Sequence, residues 1–126
     1  MKSLSVLIVD DSSVMRRIVE RSLRQTGLGI EKVLEADNGV EALKILQTEE
    51  IDLVFSDLNM PKMDGLEFLR QSRRDSAARR VPFLMITTEG SQSKVVEAIS
   101  LGAQGYIRKP FTADQVKAQV TSALNL

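Results

Sequence analysis

The 126-residue sequence contains no cysteine, no histidine and no tryptophan, and these absences exclude several kinds of chemistry. Without cysteine there are no disulfides, no thiolate metal sites and no thiol nucleophile. Without histidine there is no triad base, no imidazole metal site and no histidine to carry a phosphoryl group. Any chemistry must therefore use carboxylates, lysine, hydroxyl groups or the single tyrosine.

Long hydrophobic runs are also missing. The apolar stretch 6–9 ends at Asp10 and Asp11, so it is far too short for a signal peptide or a membrane span. The 17 lysines and arginines balance 17 aspartates and glutamates, and a net charge of zero gives no general attraction to nucleic acid or anionic membranes. We therefore expect a cytoplasmic protein that binds neither, and we expect a monomer.

Length and composition describe a single domain over residues 1–126. Domains usually contain about 100 to 200 residues, and at this size roughly two-thirds of the unfolded surface can be buried without cross-links. Hydrophobic residues make up 43% of the chain, and no stretch resembles a linker. The sequence thus supports one hydrophobic core.

Short apolar runs rich in β-branched residues predict five buried strands. Between them the apolar positions repeat with a helical period, which predicts five helices, the first capped by Ser12 or Ser13. The strands are predicted over 4–9, 30–36, 51–55, 81–86 and 105–107. The first helix carries an apolar stripe of Val14, Ile18, Val19 and Leu23, and the others are predicted over 40–47, 66–73 and 95–101 and after a capping box at 112–115.

Strict alternation of strands and helices predicts a doubly wound α/β fold, with a parallel sheet and helices on both faces. The strands lack polar alternation, which agrees because parallel strands are buried on both sides. The order 2-1-3-4-5 is the natural choice at this size, and it places the switch point between strands 1 and 3. A ligand is expected there, beyond the carboxyl ends of the strands.

Polar residues follow four of these strands at that edge. Strand 1 runs into Asp10 and Asp11, strand 3 into Asp57, strand 4 into Thr87 and strand 5 into Lys109. Three carboxylates in one crevice oppose each other's ionisation, and a divalent cation relieves this. With no histidine or cysteine available, an all-oxygen site favours Mg²⁺.

Each residue taken alone has a simpler explanation. Asp10 and Asp11 could serve only to cap a helix, and Asp57 could be an ordinary polar residue at a strand end. Thr87 could be a strand threonine and Lys109 a solvated loop lysine. Their convergence on one crevice favours a shared chemical role, because capping does not require an acid on a second strand.

A carboxylate is a nucleophile that needs no general base, so Asp57 could accept a phosphoryl group and become an acyl phosphate. Phosphoryl transfer chiefly requires positioning and neutralisation of charge. Mg²⁺ held by Asp11 and Asp57 would contact one phosphoryl oxygen, the ammonium of Lys109 a second and the hydroxyl of Thr87 a third.

Four motifs carry a resemblance to a known family: LIVDDSS at 7–13, FSDLNMPKMDG at 55–65, LMITTE at 84–89 and YIRKPF at 106–111. With these motifs the chain resembles the receiver domains of two-component response regulators, particularly the stand-alone, CheY-like regulators of chemotaxis. The resemblance covers 6–124. It implies a flavodoxin-like fold and a phosphoryl donor that is a CheA-like sensor histidine kinase, with the phosphohistidine on the partner.

The resemblance also implies roles for individual residues. Asp57 would be the phospho-acceptor, and Asp10 and Asp11 would hold Mg²⁺ together with the main-chain carbonyl of Asn59. The resemblance further implies that Lys109 and Thr87 engage the phosphoryl group.

In such a switch Thr87 moves toward the phosphoryl group and Tyr106 turns inward behind it. This would reshape the surface formed by helix 4, strand 5 and helix 5, so that a target such as a flagellar motor switch protein binds. An ordinary, half-buried strand aromatic is the alternative explanation for Tyr106.

Three residues are candidates for setting the rate of dephosphorylation. Thr88 stands where receiver domains commonly have alanine or glycine, and its bulk could narrow access for a small phosphodonor or a phosphatase. Asn59 and Glu89 flank the acceptor, where polar groups could orient or obstruct the attacking water. Surface positions without a role in hydrolysis are the alternative.

Five arginines crowd the third helix and the loop after it. A solvated basic face is the favoured explanation, and a docking patch for an acidic partner is the alternative. No aromatic residues are interleaved with them, so nucleic-acid binding is not expected. They are Arg70, Arg73, Arg74, Arg79 and Arg80.

Several signalling roles fit a receiver domain of this sequence. Control of the flagellar motor is preferred over a phosphorelay intermediate, a phosphate sink or a receiver excised from a larger regulator, and the last helix ending at Leu124 favours a stand-alone protein. An aspartate-nucleophile phosphatase is a distant alternative, since such enzymes place the nucleophile after strand 1 and add a cap domain. A flavodoxin-like cofactor carrier is disfavoured because Asp10 and Asp11 would repel its phosphate. We expect a signalling module and not an enzyme.

Overall fold

The computed structural model describes residues 3–75, 78–88 and 92–126. Over these residues strands and helices alternate along the whole chain, as the sequence predicts. The elements are β1 (Leu4–Val9), α1 (Ser13–Arg24), β2 (Ile30–Ala36), α2 (Gly39–Thr48), β3 (Leu53–Asp57), α3 (Gly65–Arg74), β4 (Phe83–Thr87), α4 (Gln92–Ser100), β5 (Gly105–Arg108) and α5 (Ala113–Leu124).

The five described strands form one parallel sheet in the order β2-β1-β3-β4-β5. The doubly wound, flavodoxin-like fold predicted from the sequence is confirmed. The order reverses between β1 and β3, so a crevice opens between the ends of these two strands. In the register, Val9 lies opposite Ser56 and Asp57 lies opposite Ile86, which aligns the strand ends at this edge.

Alternate residues of the central strands face two separate layers of helices. Leu7 and Val9 of β1 pack with the layer formed by α2, α3 and α4. Val6 and Ile8 pack with the layer formed by α1 and α5. Because all four side chains are fully buried, each layer is tied to the sheet by the hydrophobic effect, and the sheet edge is held in place between them.

Two strands begin and end later than the sequence predicts. β3 begins at Leu53 instead of at position 51 and continues through Asp57, and β4 begins at Phe83 and continues through Thr87. Pro82 has no N–H to add to the ladder, which explains the late start of β4. As a result, Asp57 and Thr87 are the last residues of strands and are fixed by the sheet.

The apolar stripe predicted for α1 is wrong at two of its four positions. Val19 and Leu23 are buried, but Val14 is 64% exposed and Ile18 is 44% exposed. Met15, not Val14, continues the buried stripe, because a step of four residues from Val19 keeps the side chain on the same helix face. Val14 and Ile18 each lie one position before a residue of this stripe, so their side chains face solvent.

Among the described residues, Arg73 and Arg70 of the crowded arginines have structural partners. Arg73 donates to the carbonyl oxygens of Val81 and Gly102 at 2.8 Å each, and its guanidinium lies 5.0 Å from the centre of the Phe83 ring. Arg70 forms salt bridges to glutamates on α3 and α4 at 2.6 and 2.9 Å. No helix in the described ranges is long and apolar enough to cross a membrane.

Candidate functional site

Three acidic residues meet at the crevice between β1 and β3. Asp57 is the last residue of β3, and Asp10 and Asp11 follow directly after β1. Each offers a carboxylate oxygen, and these three oxygens lie within 4.8 Å of one another. Lys109, just after β5, places its Nζ 3.6 Å from Asp10 Oδ2 and 3.7 Å from Asp57 Oδ1.

The start of α1 does not depend on these aspartates as its helix cap. Ser12 is the N-cap, and its Oγ accepts a hydrogen bond from the Met15 N–H at 3.1 Å. Asp10 lies earlier, and its Oδ1 accepts from the Ser12 N–H at 2.9 Å. Since the capping position is already filled, capping does not account for a buried acid at position 10 and an exposed one at position 11.

Backbone contacts hold the turn after Asp57 at the sheet edge. The Leu58 N–H donates to the carbonyl of Ile86 on β4 at 3.2 Å. Gly65, the first residue of α3, packs directly beneath this turn, and its N–H donates to the Leu58 carbonyl at 2.9 Å. A Cβ at position 65 would collide with the Asp57 carbonyl oxygen and lie 2.9 Å from Leu58 Cα, so only glycine allows this approach.

The site disfavours the ionised form of its two buried carboxyl groups. Burial raises the pKa of Asp10, and the N–H of Ser12 and the charge of Lys109 offset this only in part. Burial also raises the pKa of Asp57, and the nearby negative charge of Asp10 raises it further. The single lysine therefore does not compensate the three acids, and the site has excess negative charge.

A hard divalent cation fits this excess. Asp10 Oδ2 is a buried oxygen without a hydrogen-bond partner among the described residues, since Lys109 lies beyond hydrogen-bonding distance. The cluster offers only carboxylate oxygens, the ligands that Mg²⁺ prefers, and it lies at an open edge where water could fill remaining positions.

Thr87 and Tyr106 lie toward the same edge, and among the described residues neither forms a hydrogen bond with the Asp57 side chain. The Thr87 hydroxyl donates to the Thr88 carbonyl at 3.1 Å, and the Thr87 carbonyl accepts from the Lys109 N–H at 2.7 Å. Tyr106 on β5 is 40% exposed. It lines a groove of about 1000 Å³ together with Thr88 and apolar residues of α4 such as Val96.

The residues proposed to flank the acceptor are described in part. Asn59 is exposed, and its Oδ1 accepts a hydrogen bond from Lys94 Nζ at 2.9 Å. Thr88 is exposed and lies directly after β4. Glu89 lies outside the described residues, so its role stays a prediction.

The structure adds two residues that the sequence did not indicate. Arg16 Nη1 donates to the Asp10 carbonyl at 2.6 Å, while its Nε donates to Glu35 on β2 at 2.8 Å. Lys94 reaches the loop after Asp57 from α4. Arg16 lies one helical turn after the Ser12 cap, so its position near the site was predictable from helix geometry. No comparable spacing signal indicates Lys94.

Comparison with known proteins identifies the family. A family model described as the response regulator receiver domain matches residues 6–121. The chain belongs to the response-regulator receiver family. This receiver domain is 44% identical over 119 residues to chemotaxis protein CheY-3 of Vibrio cholerae, covering 94% of this chain and 90% of the relative.

Two further relatives agree. A chemotaxis protein CheY homolog of Campylobacter jejuni is 41% identical over 122 residues, covering 96% of this chain and 92% of the relative. The structure of chemotaxis response regulator CheY4 of Vibrio cholerae matches with a TM-score of 0.83 at 36% identity, covering 98% of this chain and all of that chain. The chain is therefore a CheY-like receiver domain of a two-component response regulator, and its relatives suggest chemotaxis.

Proposed function

We propose that this receiver domain is a signalling module that accepts a phosphoryl group on Asp57 from the phosphohistidine of a CheA-like sensor histidine kinase. One observation carries the proposal: three carboxylates gather within 4.8 Å at the switch point, with Lys109 beside two of them. We also propose a cytoplasmic location, which the absence of cysteine fits.

In the proposed reaction the Asp57 carboxylate attacks phosphorus directly. A bond forms between an Asp57 oxygen and phosphorus while the bond between phosphorus and the donor imidazole nitrogen breaks. The Lys109 ammonium lies close enough to Asp57 Oδ1 to attract a phosphoryl oxygen bound there. The position of Asp57 at the end of β3, and the hydrogen bond from the Leu58 N–H to β4, keep the nucleophile at the open edge.

Magnesium is the cofactor of this proposal. The residues that would hold it are Asp10, Asp11, Asp57 and the main-chain carbonyl of Asn59. When bound, Mg²⁺ supplies positive charge that neutralises both the carboxylates and the transferred phosphoryl group. The unpartnered Asp10 Oδ2 and the raised pKa values of Asp10 and Asp57 support this assignment, because both report negative charge that the protein leaves uncompensated.

The proposed output is binding of a target protein in chemotaxis, such as a flagellar motor switch protein. Thr87 would exchange its bond to the Thr88 carbonyl for one to the phosphoryl group, and Tyr106 would turn inward from its exposed position. Both residues line the groove beside α4. Its wall includes the apolar residues Val95, Val96 and Ile99, which suits a polypeptide better than a small phosphate ester, so we propose a signalling role and not an enzyme.

Phosphorylation by a small donor tests the proposal. We expect the intact mass to increase by one phosphoryl group when the protein is incubated with acetyl phosphate and Mg²⁺. The gain should disappear when the metal is chelated and in the variant Asp57→Asn, which lacks the nucleophile. Lys109→Ala should accept phosphate more slowly, because it removes charge that stabilises the transition state.

A further variant separates access from chemistry. If the parent protein gains no mass, Thr88→Ala should restore labelling when the threonine blocks the small donor. Labelling of neither protein, with acetyl phosphate or with a CheA-like kinase, would contradict the proposed function. Labelling that persists in Asp57→Asn would contradict the assigned acceptor.

A further inference from the structure

Lys94 is a residue of α4 that reaches the loop after the acceptor Asp57. It lies 37 positions after Asp57 in the sequence, yet its Nζ donates to Asn59 Oδ1 at 2.9 Å. Asn59 lies two residues after Asp57 in the loop that follows β3. A hydrogen bond therefore links α4 directly to the loop that follows the acceptor.

The position of Lys94 on α4 explains how it reaches the site. It is the third residue of the helix, and side chains of a helix tilt toward its N-terminus. One turn later, Glu97 forms a salt bridge with Arg70 on α3 at 2.9 Å, which holds this part of α4 against the neighbouring helix. The ammonium is thus directed toward the edge of the sheet that carries Asp57.

The hydrogen bond from Lys94 occupies the side-chain oxygen of Asn59, which would otherwise be free to assist hydrolysis of an aspartyl phosphate. An aspartyl phosphate is hydrolysed when water attacks phosphorus, and a nearby acceptor that orients the water speeds the attack. The side-chain acceptor of Asn59 is Oδ1, and Lys94 donates to it. A protonated lysine has three donors and no acceptor, so Lys94 cannot take over that task.

We propose that Lys94 is a positioning residue that prolongs the lifetime of the aspartyl phosphate by holding the side chain of Asn59. This inference rests on the proposed phosphorylation of Asp57 and adds a residue on α4 to the control of that site. It makes signal duration depend on a contact between the acceptor loop and the output helix.

The decisive experiment measures the decay of the phosphorylated protein. The parent and the variants Lys94→Met and Lys94→Arg are phosphorylated with acetyl phosphate, freed of donor and followed by intact mass in Mg²⁺. Lys94→Met keeps the length of the side chain but removes its donor, and we expect decay to be about two- to tenfold faster, the range of a single net hydrogen bond. Lys94→Arg retains a donor and should decay at close to the parent rate.

A double-mutant cycle with Asn59 distinguishes positioning from a general effect on the fold. In an Asn59→Ala background, Lys94→Met should change the decay rate far less, because the group that Lys94 holds is gone. Lys44→Met is the matched control. Lys44 is likewise an exposed helical lysine whose ammonium contacts one side-chain oxygen, that of Glu41, but it lies on α2. Its decay should equal that of the parent, and urea unfolding would show that all variants fold.

The results separate this inference from the function on which it rests. Equal decay of Lys94→Met and the parent, slower decay, or an undiminished effect in the Asn59→Ala background would overturn the role of Lys94 while leaving phosphorylation of Asp57 intact. If neither the parent nor Thr88→Ala accepts phosphate from acetyl phosphate or from a kinase, the proposed function fails and the role of Lys94 falls with it.

Discussion

Asp57 and Asp10 are carboxylates that the fold holds in an unfavourable environment. Asp10 is 1% exposed and Asp57 is 8% exposed, and burial raises the pKa of both. Charged groups are rarely buried unless a partner compensates them, and here Lys109 is the nearest cation. The site is therefore maintained at the expense of stability, as expected where function requires uncompensated charge.

A stability measurement tests this directly. We predict that Asp57→Asn, with metal chelated, is more stable toward urea than the parent at pH 7. The folded pKa of Asp57 is raised above its unfolded value of 3.8, so ionisation disfavours the folded state. That penalty is absent below the unfolded pKa, grows as the pH rises toward the folded pKa and is complete above it.

The difference between the two proteins should accordingly shrink as the pH falls toward 3.8. Glu50→Gln is the control for loss of one negative charge, because Glu50 is exposed and lies before β3, and the stability of this variant at pH 7 should match that of the parent. A parent protein that equals or exceeds Asp57→Asn in stability at pH 7 without metal would show that Asp57 is well compensated, contrary to this account.

The sequence predicts the positions of the acidic residues better than those of the side chains around them. Asp10 and Asp57 follow strongly apolar runs, and Lys109 follows a shorter and weaker one. Parallel strands end at one edge of the sheet, so the convergence of these residues follows from topology. The contact of Lys94 with Asn59 depends on the reach of a side chain from α4, which no pattern of apolar residues encodes.

The elements that bear the site are held by close backbone packing as well as by apolar side chains. The junction of β3 with α3 is the tightest example: Gly65 begins the helix directly against the carbonyl group of Asp57. The sequence indicates a turn at 59–61 and a helix that follows Gly65, but the reason for glycine is visible only once strand and helix are in place. It is an approach of backbone to backbone and does not involve a positive φ.

Gly65→Ala is therefore expected to disturb both the fold and the acceptor. The added Cβ meets backbone atoms that cannot rotate away, so β3 or α3 must shift, at a cost of about 1 to 3 kcal/mol in the free energy of unfolding. Misplacement of Asp57 should also slow phosphorylation by acetyl phosphate. Urea unfolding and the initial rate of mass gain measure the two effects.

Gly29→Ala provides the matched control for this substitution. A Cβ at position 29 would lie 3.7 Å from Ser3 Oγ, an ordinary van der Waals contact. We expect stability and phosphorylation close to those of the parent. Equal behaviour of the two alanine variants would contradict the packing role assigned to Gly65.

Sequence patterns located every described element, but they were less accurate for the faces and ends of those elements. The first helix was predicted to bury Val14 and Ile18, yet the helix presents them to solvent, because β-branched residues alone do not define which side packs. The hydrophobic run predicts that the third strand ends at Phe55, whereas β3 continues to pair with its neighbours through Asp57. Polar residues at functional strand ends therefore escape such a prediction.

The whole molecule couples the acidic site to global stability. The sheet is packed between two hydrophobic layers, and the carboxylates lie where β1 and β3 leave that core. A cation bound at this point would interact with the folded state far more strongly than with the unfolded chain, in which Asp57 is distant from Asp10 and Asp11. Binding must then raise the free energy of unfolding by mass action.

We predict that Mg²⁺ stabilises the parent by about 2.7 kcal/mol at a concentration one hundred times its dissociation constant. Chelation should reverse the effect, and sodium chloride of equal ionic strength should not reproduce it. Asp11→Asn should respond much less, because it removes one ligand of the cluster. An equal Mg²⁺ response of Asp11→Asn and the parent would place the ion elsewhere on the protein.

The most direct test of the central claim is to locate the phosphoryl group chemically. Borohydride reduces an acyl phosphate to the alcohol, so a phosphorylated Asp57 would become homoserine, which peptide mass spectrometry identifies by position. We predict reduction at position 57 in protein treated with acetyl phosphate and Mg²⁺, and none after chelation. Homoserine at another aspartate, or a mass gain without any reducible acyl phosphate, would contradict the account.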